Sequence, residues 1–66
     1  MKHAERERLH NRALRVLALA SGEAAEGHYV SAAVLASIAV THLCKIPGVA
    51  EEAIALARAK RREARA

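Results

Sequence analysis

Apolar side chains recur along the first third of the chain at helical spacing. Leu9, Ala13, Val16, Leu17 and Ala20 fall at i, i+4, i+7, i+8 and i+11, which is one face of an α-helix. Arg8, Arg12 and Arg15 form a stripe on another face. This spacing predicts a helix over residues 3–25. Ser21-Gly22 offers an earlier stop, but Glu23-Ala24-Ala25-Glu26 is good helix sequence. Gly27 then suits a left-handed cap.

The middle third is patterned differently. The 18 residues from Gly27 to Cys44 hold no Lys, Arg, Asp or Glu, and their apolar positions run all round the helix. A helix apolar on all sides is buried on all sides. A second helix is therefore predicted over residues 28–45, central in the fold and covered by its neighbours. Ser31, Ala32, Ala33, Ala36, Ser37 and Ala39 let those neighbours approach closely.

Pro47-Gly48 separates this helix from a third, predicted over residues 49–63. Glu51 and Glu52 occupy its first turn and Arg58, Lys60, Arg61, Arg62 and Arg65 its end, an order that matches the helix macrodipole. Val49, Ala50, Ala53, Ile54, Leu56 and Ala57 supply its apolar side. Sustained period-2 alternation and hairpin dipeptides are missing. The expected fold class is all-α: a three-helix antiparallel bundle with a buried Ala-rich central helix, in one domain spanning residues 1–66.

Composition adds a stability problem. The 66 residues are 53% hydrophobic but only 2% aromatic, and 17 of them are alanine. Alanine is the best helix former, yet it buries little area at roughly 25 cal/mol per Å². A chain this short buries only about 60% of its unfolded surface. Self-association as a homodimer is the natural remedy. The expected core and interface residues are Leu17, Tyr29, Val34, Leu35, Ile38, Leu43, Ile54 and Leu56. Tyr29 is expected to anchor the start of the second helix, under the preceding connection. Cys44 is expected to be a small buried hydrophobe. Leu14 and Leu19 face outward, available to a partner.

Size and cysteine content exclude much. The chain is too short for a Rossmann or TIM-barrel enzyme, and one cysteine excludes a disulfide framework. His3 and His10 lie two helical turns apart, roughly 10 Å, too far to share one ion. His42 and Cys44 do not share a helix face. No nucleophile with a positioned base can be placed. The expectation is a non-enzyme with no metal, no cofactor and no small-molecule substrate. Charges crowd the first 15 residues, unlike a signal peptide. The uncharged stretch is Ala/Ser-rich and holds His28 and His42, a poor membrane span. A cytoplasmic protein without membrane contact is expected.

Charge is concentrated at the ends. Residues 1–15 carry five basic and two acidic groups (+3), residues 16–57 one and four (−3), and residues 58–66 five and one (+4), which sum to the net +4. Arg8, Arg12, Arg15, Arg58, Arg61, Arg62 and Arg65 are thus the candidate contacts to nucleic acid or an acidic partner. Neither cluster has an aromatic to stack on bases. A solvated, dipole-matched helix end explains the same residues.

The stretch Gly27-His28-Tyr29-Val30-Ser31-Ala32-Ala33-Val34-Leu35-Ala36-Ser37-Ile38-Ala39-Val40-Thr41-His42-Leu43-Cys44 resembles a family pattern. Small all-helical proteins of actinobacteria and their phages carry a similar helix, A-x-LA-x-IA-x-x-x-x-C. They look like compact relatives of the HEPN superfamily of antiparallel helical bundles. The resemblance covers about 45 residues and implies a bundle, in a protein of phage or actinobacterial origin. Catalytic HEPN members carry Arg-x4–6-His for RNA cleavage. Arg6 and His10 have only three residues between them, so the resemblance carries over no catalytic residue. Gly27-x-Tyr29-x-x-Ala32 also resembles the second helix of a tetratricopeptide unit, whose remaining consensus is missing.

These readings converge on a small helical interaction protein that binds and modulates a partner protein through helix packing. The alternative is a nucleic-acid-binding accessory factor using the basic helix ends.

Overall fold

The computed structural model describes residues 1–65. The described chain is all-helical, with α1 over His3–Ala25, α2 over Tyr29–Cys44 and α3 over Val49–Arg65. No strand occurs among the described residues.

Two glycines make the turns. Gly27 has φ +83° and Gly48 has φ +87°, a region that costs other residues roughly 1–2 kcal/mol. At the end of α1 the His28 N–H donates to the Glu23 carbonyl at 2.8 Å. The Gly27 N–H donates to the Ala24 carbonyl at 3.0 Å. This pair of bonds is the Schellman motif, which satisfies carbonyls that the helix leaves open. The chain turns back there, and α2 lies against α1.

The centre of the contact between α1 and α2 is made of small residues. Ala13, Ala20 and Ala39 are its buried centre, at 1%, 8% and 0% exposure. Leu9 and Val16 of α1, with Ala32, Leu35, Ala36, His42 and Leu43 of α2, are half-buried around them. Alanines at the crossing let two helix backbones come close. Each buried methyl contributes only about 0.8 kcal/mol.

α3 touches α2 and does not touch α1. The described chain is therefore a packed pair with a third helix leading away. Its extents are 40 × 35 × 12 Å. A compact bundle of such helices has one long dimension and two short ones. Here two are long, and the third is close to the roughly 10–12 Å diameter of one helix. The radius of gyration is 13.9 Å, against about 11 Å for a compact chain of this length.

This arrangement corrects the expected burial. Within one chain, α2 is covered on the α1 side only. Among the expected core residues, Leu35 and Leu43 are half-buried, while Leu17, Tyr29, Val34, Ile38, Ile54 and Leu56 are exposed. The reason is geometric. The apolar faces call for a third helix over α2, and α3 departs from the end of α2 instead. Beyond Ala50 every described residue of α3 is exposed.

α1 passes through Gly22 unbroken. A Cβ built on Gly22 meets nothing within 4 Å. Gly22→Ala is therefore expected to stabilise the chain by about 0.5–1 kcal/mol, through helix propensity and a less flexible unfolded state. A thermal melt would register this as a higher midpoint, by roughly 4–8 °C per kcal/mol. An unchanged or lower midpoint would mean that another surface approaches Gly22.

Candidate interaction surface and side-chain clusters

The outward side of α2 carries a row of exposed apolar side chains. Val30, Val34 and Ile38 follow at i, i+4 and i+8, and are 81%, 54% and 41% exposed. Val40 is also exposed. Three hydroxyls lie among these side chains, and those of Ser37 and Thr41 turn inward. The Ser37 hydroxyl donates to the Val34 carbonyl at 2.8 Å, and the Thr41 hydroxyl donates to the Ser37 carbonyl at 2.9 Å. Their donors are spent on the helix's own backbone. What α2 presents outward is mainly methyl groups, without charge, with the exposed Ser31 hydroxyl among them.

Two expectations at the ends of α2 are corrected. Tyr29 does not anchor the core: it is 73% exposed. It opens α2 beside the Gly27 turn, and α3 leaves from the opposite end, so nothing closes over the ring. Cys44 is not buried either, but an exposed free thiol. It lies five residues from Ala39, about 140° round the helix from the α1 contact. His42 is half-buried, and its Nδ1 is buried with no hydrogen-bond partner among the described residues.

The arginines fall into two groups, each on one helix face. Arg8, Arg12 and Arg15 line a shallow groove along α1 with Ala4, Glu7 and Asn11. Arg58, Arg61, Arg62 and Arg65 line a second groove along α3. Both follow from i, i+3, i+4 and i+7 spacing on a helix. Among the described residues no Lys or Arg forms an ion pair with a carboxylate; the pairs present all involve histidine. The two groups sit on helices that do not touch.

One cluster escapes sequence reasoning. Glu23, Glu26 and His28 bring their ligand atoms within 4.8 Å of one another. His28 Nδ1 stands 2.6 Å from Glu23 Oε2 and 3.5 Å from Glu26 Oε2. The Schellman turn makes this meeting, because it folds residue 28 back over residue 23. That position usually holds an apolar contact, and here it holds a carboxylate and an imidazole. The available signal was Glu-x-x-Glu-Gly-x, with a residue able to ligate directly after the capping glycine.

No family model matches this chain, and neither a curated protein nor a solved structure matches it. Among the described residues no helix is long and apolar enough to cross a membrane. The 16 residues of α2 span about 24 Å, short of a hydrocarbon core of roughly 30 Å.

Proposed function

We propose that this is a small non-enzymatic interaction protein that works through helix packing. In this reading the antiparallel α1–α2 pair associates with a second copy through the outward side of α2. That contact buries the central helix on its remaining sides. The resulting cytoplasmic dimer binds and modulates a partner protein, with Leu14 and Leu19 of α1 exposed for contact.

One observation carries the reading. The chain exposes 5330 Å², whereas a compact monomer of 7.1 kDa exposes about 4,100 Å². The excess is about 1,200 Å². A standard interface covers roughly 800 Å² on each partner. The surplus exceeds what one partner of such an interface covers, and the exposed apolar residues of α2 are available for that contact. Light scattering on the full chain at high micromolar concentration tests this. A mass near twice 7.1 kDa is the expected result. A folded monomer at that concentration would overturn it.

A second reading rests on the two arginine faces. Each is a continuous stripe of unpaired cations along one helix, suited to a run of phosphates as an accessory nucleic-acid contact. Each phosphate contact adds about 0.9 to the slope of log affinity against log salt on duplex DNA. Replacing Arg58, Arg61, Arg62 and Arg65 by Gln is expected to lower that slope by about three to four. An unchanged slope in a DNA titration would exclude the α3 face.

A further inference from the structure

We propose that Glu23, Glu26 and His28 bind a zinc ion, or a similar first-row divalent cation, at the turn between α1 and α2. The two Schellman bonds and the positive φ of Gly27 fix the positions from which these three side chains leave the chain. The ligand atoms already converge within 4.8 Å.

One ligand pair already stands at the spacing of a tetrahedral ion. With bonds near 2.1 Å, neighbouring ligand atoms of such a site stand roughly 3.4 Å apart. His28 Nδ1 and Glu26 Oε2 stand at 3.5 Å. His28 Nδ1 and Glu23 Oε2 are hydrogen-bonded at 2.6 Å, so an ion must displace the shared proton and open the pair by about 0.8 Å to reach that spacing. Rotation of a long carboxylate side chain supplies such a shift without moving the backbone.

The electrostatics point the same way independently of the distances. The C-terminal end of a helix is its negative pole and favours cations. The last turn of α1 holds no basic residue. It holds Glu23, and Glu26 caps it, so both carboxylates stand at the pole least suited to them. Local rules of this kind are broken most often at functional sites. A bound dication resolves the conflict. The imidazole favours zinc over magnesium or calcium, which prefer oxygen ligands alone. Three protein ligands leave a fourth position for water or for a donor from another molecule.

The test is a calorimetric titration of the full chain with zinc chloride in a non-coordinating buffer, beside the same titration with magnesium chloride. One zinc per chain is expected, with no magnesium heat. His28→Ala and Glu26→Gln are each expected to weaken zinc binding at least tenfold, with the helical circular dichroism unchanged. Zinc is also expected to raise the melting midpoint of the wild-type chain, because the ligands lie on both sides of the turn. Absence of zinc binding would overturn the proposal. So would zinc affinity unchanged in both variants, which would place the ion on His3, His10, His42 or Cys44.

Discussion

Ile38→Glu is expected to halve the solution mass of the protein, from about 14 kDa for two 7.1 kDa chains to a single chain. Ile38 is 41% exposed and lies between Val34 and the inward-turned Thr41 hydroxyl, on the side of α2 that α1 leaves open. In the proposed dimer a carboxylate there leaves water without a cation to meet it, because α2 and the turn before it carry no Lys or Arg. An uncompensated charge at such a contact costs several kcal/mol. At about 3 kcal/mol the dissociation constant rises more than a hundredfold. Within one chain Ile38 is not buried, and a carboxylate there can reach solvent, so helical content should persist. Ala59→Glu, on the exposed run of α3, is the matching control and should leave the mass unchanged. If Ile38→Glu still gives the doubled mass, the self-contact lies off the outward side of α2.

Ala39→Leu is expected to melt the α1–α2 pair. Ala39 is wholly buried and Ala13 is 1% exposed, so a methyl group is the largest side chain the crossing holds. Three further carbons must push the helices apart or force a strained rotamer. Such overpacking typically costs about 1–3 kcal/mol. With no large side chain fully buried elsewhere in the described chain, little is left to offset that loss. The thermal transition should therefore fall steeply or broaden, while Ala57→Leu, on the exposed run of α3, should melt like the wild type. Equal midpoints for both variants would contradict the close crossing at Ala39.

The helical class and the number of helices were legible from the sequence. Apolar spacing, alanine content and the breakers at Gly27 and Pro47-Gly48 all agree there. Burial was not legible. Periodicity reports which side chains favour leaving water; it does not report whether the chain supplies a cover. Val34 and Ile38 carry the pattern of a buried helix, yet α3 does not lie across them. Ile54 and Leu56 lie on a helix whose described residues beyond Ala50 are all exposed, so their apolar character finds no contact within the chain. The two arginine stripes were legible, because spacing on a single helix decides which residues share a face. The Glu23, Glu26 and His28 cluster was not. Its residues meet through a six-residue turn whose hydrogen bonds have no sequence period to announce them.

The contacts of α2 with α1 and α3, and the missing contact between α1 and α3, also govern how the chain is made. Every tertiary contact joins elements that are neighbours in sequence, so no long loop must close before packing begins. Helical chains with such local contacts fold in microseconds to milliseconds, whereas synthesis proceeds at about 5–20 residues per second. The α1–α2 pair can thus form as soon as both helices are clear of the ribosome. In the proposed dimer, the slow step of maturation is the search of one finished chain for another, a step paced by concentration rather than by folding.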